Sequence, residues 1–200
     1  DANPIVSEFR WYSNKLIEYT NKDGVRLQAV LMVPDGYSKG DKYPMLVDFY
    51  EKNSQNLNRW SRIIYRDTPM FPKYASNGYL VLLPDIHFNL RTTHSDMLEC
   101  IEAAVNKVNE LGYVDMDKIG IHGHSFSGQG GNYVVTHSDM FAAAVIGAGV
   151  SDLVAYFNQL WKSSGTNQHR YDYYGQGRFN TNPYDDFDLF VDQSAVFHAR

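Results

Sequence analysis

The 200-residue sequence has one cysteine, Cys100. A single thiol excludes an intrachain disulfide framework and leaves the cellular compartment open. No apolar run is long enough to cross a membrane. No basic run occurs either, and a formal charge of -5 argues against nucleic acid as the main partner. The amino end, D-A-N-P-I-V-S-E-F-R-W-Y, has neither a basic n-region nor an apolar h-region, so it does not read as a signal peptide. It also lacks an initiating methionine, which suggests a mature product or an excerpt from a longer chain. No internal repeat or low-complexity tract is visible.

What remains is a globular composition, 44% hydrophobic and 20% charged, of a length that suits one sizeable domain over residues 1–200. Fifteen tyrosines and eleven phenylalanines are a heavy aromatic load, able to line pockets as well as cores. Residues 1–14 read as a linker-like lead-in. Lys15 to Thr20 and Val25 to Val33 read as strands joined by N-K-D-G, a hairpin signal. Tyr43 to Tyr50 and Tyr79 to Leu83 read as buried strands, with a polar, aromatic loop from Glu51 to Thr68 between them. Met70 to Asn77 suggests a short helix stopped by Gly78. The clearest helix is Asp96 to Leu111, where Met97, Cys100, Ile101, Ala104, Val105, Val108 and Leu111 form an apolar stripe. Ser95 or Thr93 would cap its start and Gly112 its end. Cys100 lies on the stripe and is expected in the core. Lys118 to His122 and Phe141 to Ile146 are further strands, and a helix is expected near Asp152 to Trp161. Residues 163–185 lose all periodicity, as pocket-side segments often do. Alternating strands and helices imply an α/β fold: a mainly parallel sheet, covered on both faces, after an antiparallel amino-terminal hairpin.

The stretch K-I-G-I-H-G-H-S-F-S-G-Q-G-G-N-Y, Lys118 to Tyr133, carries the chemistry. An apolar strand runs into glycines around one serine and leaves as a helix, which is the setting of a nucleophile elbow. Gly123 and Gly128 allow close backbone approach. The helix start points N–H groups at the place where negative charge would develop. Ser125 is therefore the candidate nucleophile. The usual G-x-S-x-G is altered, with Ser127 at the last position and glycine one step later. Tyr50, Asp85 and Ser125 all fall at strand carboxyl ends, where ligands sit in such sheets.

A serine nucleophile needs a base and an orienting carboxylate, in the order Ser, Asp, His for this fold type. After Ser125 come His137, His169 and His198. The first follows the elbow too closely, the second has only Asp139 and Asp152 before it, and the third lies at the end with no strand to place it. The acid and the base are therefore expected beyond Arg200. His122 and His124 share one side of an extended segment. Two histidines do not complete a metal shell, and neither a metal nor a cofactor is expected. His87 and His94 with Asp85 form a looser group that reads as loop polarity.

Four blocks resemble the prolyl oligopeptidase family of serine peptidases, in order and spacing. They are Lys42 to Glu51, Tyr79 to Asp85, Asp117 to Gly128 and Met140 to Asp152. The closest likeness is to dipeptidyl-peptidase-like and acylaminoacyl-peptidase-like members. The resemblance implies an α/β-hydrolase fold that is incomplete at its carboxyl end, and a peptide substrate cleaved through an acyl-enzyme. It implies Ser125 as nucleophile, with the Phe126 backbone N–H and the Tyr50 hydroxyl as oxyanion-hole donors. It puts the Phe126 ring beside the specificity pocket, with Tyr173 as a pocket tyrosine. It also implies an amino-terminal β-propeller in the full protein and favours a periplasmic or otherwise extracytoplasmic setting. Family members usually carry glycine where Ser127 stands. An unpaired sheet edge after the last strand would invite homodimerisation. Two alternatives stay open: an esterase of the same fold, and a non-catalytic hydrolase-like binding module.

Overall fold

The computed structural model describes residues 4, 8, 11–38, 40–59, 61, 66–168 and 175–199. Six strands form one mixed sheet: β1 (Tyr12–Thr20), β2 (Arg26–Pro34), β3 (Tyr43–Asp48), β4 (Leu80–Pro84), β5 (Val114–His124) and β6 (Ala143–Gly147). Their spatial order is β1-β2-β4-β3-β5-β6. β1 with β2 and β2 with β4 are antiparallel, and the remaining pairs are parallel. Five helices accompany the sheet among the described residues: α1 (Phe71–Ser76), α2 (Thr93–Glu110), α3 (Phe126–His137), α4 (Leu153–Asn158) and α5 (Phe187–Asp192).

The two-residue period of the strands splits the core between two faces. Ala29, Leu31, Val33, Met45, Val47, Leu80, Leu82, Ile119 and Ile121 share one cluster with the stripe of α2 and with Phe126 and Val134 of α3. Val30, Met32, Val81 and Leu83 form a second cluster with Ala75 of α1. Helices thus cover both faces, as expected. A third cluster joins Leu153 and Phe157 of α4 to Phe179 and to Phe190 of α5. Cys100 is buried in the main cluster, and burial pushes its thiol pKa up to about 11. That is the inert thiol the stripe predicts.

Several element boundaries differ from the sequence reading, among them that of β5, which runs from Val114 to His124 rather than from Lys118 to His122. β1 begins at Tyr12, because Tyr12, Ser13 and Asn14 pair with Pro34, Val33 and Met32, so the end of the lead-in is sheet. α2 begins at Thr93 rather than Asp96. Tertiary bonds hold the extra turn: the Thr93 hydroxyl donates to the Gly177 carbonyl, and the His94 N–H donates to Gln193 Oε1 at 2.9 Å. No side-chain cap is made by the cap residue, Thr92, and the Ser95 hydroxyl donates back to the Thr92 carbonyl. α5 went unseen in the sequence, although Asp186 caps it by accepting from the Leu189 N–H.

His94 is buried, and its Nδ1 donates to the Gln193 carbonyl at 2.8 Å. Burial drives its pKa below the ordinary 6.5, partly offset by the Gln193 carbonyl and the Gln129 side chain. Between that lowered value and 6.5 the unfolded chain binds a proton that the folded chain refuses. Stability is therefore full above pH 6.5 and declines as pH falls below it, by at most about 1.4 kcal/mol per pH unit. A series of denaturation curves from pH 7.5 to 5 should show this decline. His94→Gln should flatten it, and an unchanged slope in the variant would remove His94 as its source.

Candidate active site

β5 ends at His124 and α3 begins at Phe126, which leaves Ser125 alone in the turn. Its backbone sits at φ 59° and ψ -116°, outside both the right- and left-handed helical regions. Only glycine visits that region without strain, and a strained non-glycine residue of this kind costs about 1–3 kcal/mol. Two bonds hold it there. The Ser125 N–H donates to the Gly147 carbonyl at the end of β6 (2.9 Å), and the Ser125 carbonyl accepts from the Gln129 N–H (3.0 Å). The turn also needs its glycines. A Cβ on Gly123 would run into the Ser127 carbonyl, and one on Gly128 would stand 2.5 Å from the Gly147 oxygen. The residue is solvent-exposed while Phe126 to Gly131 behind it are buried. Its hydroxyl makes no hydrogen bond among the described residues.

Ser127 fits the turn instead of disturbing it. It is 2% exposed, and its hydroxyl bonds both the N–H and the carbonyl of His124 at 3.0 Å. The hydroxyl therefore ties the first turn of α3 to the last residue of β5. Ser127→Gly should cost about 1 kcal/mol, the net worth of such a bond. Reactivity of Ser125 toward a fluorophosphonate should survive the change. Loss of that reactivity would assign the hydroxyl more than a bracing role.

Tyr50 and Phe126 meet beside the turn. Tyr50 lies two residues beyond β3, is 41% exposed, and packs edge-on against the Phe126 ring with centroids 5.8 Å apart. Phe126 is buried, touching Phe88 on another side. The Arg178 guanidinium lies 4.2 Å over the Phe88 ring and 5.8 Å over that of Phe126. Arg178 also donates to Glu51 Oε2 (3.1 Å), and Gln176 donates to the other Glu51 oxygen (3.0 Å). Glu51, Phe88, Gln176 and Arg178 line a groove of about 680 Å³ with Tyr50, Ile86 and His87 on its walls. The Glu51–Arg178 pair spans 127 residues and left no local signal in the sequence. Asp85, the third strand-end residue, accepts from the N–H groups of Asn53 and Ser54 and from the Ser54 hydroxyl, so it ties down the loop after β3.

Of the predicted residues, then, Ser125, Tyr50 and Phe126 are brought together. Tyr173 and His169 lie outside the described residues. His137 and His198 are far from the turn. His137 ends the 12-residue α3, about 18 Å along the helix from Ser125. There it stacks on Tyr133 (3.8 Å) and meets His198 (4.4 Å). His122 and His124 do not converge: His122 is bonded to Asp48, and His124 is 4.0 Å from Asp67. One trio of possible metal ligands, Asp23, Asp96 and Glu99, clusters among the described residues. Protein groups serve part of it: Lys22 pairs with one Glu99 oxygen and Asp96 accepts from Asn89 and Thr92.

Residues 88–197, which include the turn, match the model of the prolyl oligopeptidase family. The chain belongs to that family. Mouse (Mus musculus) dipeptidyl peptidase 8 is 24% identical over 157 residues, covering 71% of this chain and 17% of the mouse protein. Acylaminoacyl peptidase from Pyrococcus horikoshii superposes with a TM-score of 0.73 at 17% identity, over 99% of this chain and 32% of its own. Prolyl oligopeptidase B from Galerina marginata gives 0.70 at 18%, over 94% and 27%. These likenesses fix an α/β-hydrolase fold. The prolyl oligopeptidase relatives are far longer, and this chain spans about a sixth of the mouse protein and about three-tenths of the solved ones.

Proposed function

We propose that this chain is the nucleophile-bearing part of a serine peptidase domain, which hydrolyses peptide bonds through an acyl-enzyme on Ser125. The observation that carries the reading is the strained, exposed Ser125 between β5 and α3, in a chain of the prolyl oligopeptidase family. Strain at a functional residue persists only where the surroundings enforce it, and here two backbone bonds and two glycines do so. In this reading Ser125 Oγ attacks the scissile carbonyl. The Phe126 N–H, in the first turn of α3, and the Tyr50 hydroxyl, at the end of β3, donate to the oxyanion. Such donors contribute about 3–4 kcal/mol each to the transition state. The Phe126 ring forms one wall of the specificity pocket. A serine nucleophile also requires a base and an orienting acid.

The test uses the full-length protein. A fluorophosphonate should label Ser125, found by peptide mass, and aminoacyl anilides should be hydrolysed. Hydrolysis of esters without any hydrolysis of anilides would make the protein an esterase of this fold. Neither labelling nor turnover would make it a hydrolase-like binding module, and both results would overturn the proposal.

A further inference from the structure

We propose that Asp48 and His122 form a positioning pair that sets the Tyr50 hydroxyl against the Ser125 turn. The inference rests on the assignment of Ser125 and Tyr50 above. In that assignment the two oxyanion donors stand on different strands: Tyr50 follows β3 and Phe126 follows β5. The shape of the hole therefore depends on how the ends of β3 and β5 are fixed to each other.

The β3–β5 ladder stops at one register pair, Asp48 opposite His122. Tyr50 is two residues further along one strand and Ser125 three residues further along the other. Paired residues of parallel strands share a face. Here they also share a short bond, His122 Nδ1 donating to Asp48 Oδ1 at 2.6 Å. Both side chains are 12% exposed. This bond joins the two strands at the last register pair of their ladder.

Its chemistry is unusual for the place. Burial raises the Asp48 carboxyl above the ordinary carboxylate range, and the His122 bond works against that rise. Asp67 adds to the rise from the loop side, where it also faces His124. Two apolar residues would fill the same space without this desolvation. Val145 sits beside His122 on β6, and it is 67% exposed. Apolar contact has no preferred angle, however, and lets strands slip. A short charge-assisted hydrogen bond fixes both distance and direction. A donor displaced by a fraction of an ångström from the oxyanion loses much of its effect.

The experiment is a double-mutant cycle on the full-length protein, with an aminoacyl anilide as substrate. His122→Leu should lower kcat about 10- to 100-fold with KM nearly unchanged. In a Tyr50→Phe background the same change should lower kcat less than about threefold, because the donor it positions is gone. His122→Asn, which keeps a donor at the δ position, should restore most of kcat. Asp48→Leu, which removes the acceptor, carries the same cycle if His122→Leu does not fold. Equal losses in both backgrounds would overturn the proposal, as would a lower melting temperature with kcat intact. A wild-type protein without turnover, or a Ser125→Ala variant that retains it, would instead strike the assignment of the nucleophile.

Discussion

Ser125→Ala in the full-length protein should abolish fluorophosphonate labelling and lower kcat by about 10⁴-fold or more. The reason is the hydroxyl's place, exposed on the turn between β5 and α3, with Tyr50 and Phe126 beside it. Nothing else on this turn offers a nucleophile. The Ser127 hydroxyl is turned inward onto the His124 backbone. The folded state should barely notice the loss of one exposed oxygen, so melting temperature should change little. A second substitution separates chemistry from strain. Ser125→Gly removes the same hydroxyl and also relieves the φ 59°, ψ -116° backbone. It should be as inactive as the alanine variant yet more stable than wild type, by up to about 1–3 kcal/mol. Denaturation midpoints of the three proteins measure this directly. A glycine variant no more stable than the alanine one would show that the turn stores no strain, and would remove the main support for the nucleophile assignment.

The sequence disclosed those parts of the molecule whose cause is local. The hairpin turn at Asn21–Gly24 was legible because Gly24 takes φ 77° and the Asn21 side chain accepts from the N–H groups of Asp23 and Val25. α2 was legible because its stripe repeats for four turns. The ends of elements were less so. Thr93 and His94 joined α2 through partners some 84 and 99 residues away, which no window can register. β5 starts at Val114, before its apolar run, because Val114 pairs with Tyr43 across an irregularity in the ladder. The site divides in the same way. Gly123, Ser125 and Gly128 are one motif, and Tyr50 entered through its strand end and the family likeness. The Asp48–His122 and Glu51–Arg178 pairs depend on which strands and loops become neighbours. The strand order 4-3-5 was not readable from either partner's surroundings. Ser127 shows the limit from the other side: as a motif it looked like a defect, and in the fold it is a brace.

The elbow's dependence on its glycines makes the second large expectation. Gly123→Ala should destabilise the protein by about 3 kcal/mol or more and abolish labelling of Ser125. The new Cβ would meet the Ser127 carbonyl oxygen and stand 2.8 Å from its carbon, both main-chain atoms of the first turn of α3. No rotamer change clears a backbone clash. Either α3 moves off the end of β5 or β5 bends, and each response displaces Ser125 from the contacts that hold its conformation. Overpacking of this kind costs 1–3 kcal/mol even where side chains can yield. Gly130→Ala is the control on the same helix. Its Cβ would meet the Met97 sulfur, the flexible end of a thioether chain that can turn aside. That variant should lose only about 1 kcal/mol and should keep its labelling. Urea midpoints together with fluorophosphonate labelling rank the two. If Gly123→Ala proves as mild as Gly130→Ala, then β5 and α3 are not packed backbone to backbone at the turn. The steric account of why Ser125 is held out toward solvent would then fail.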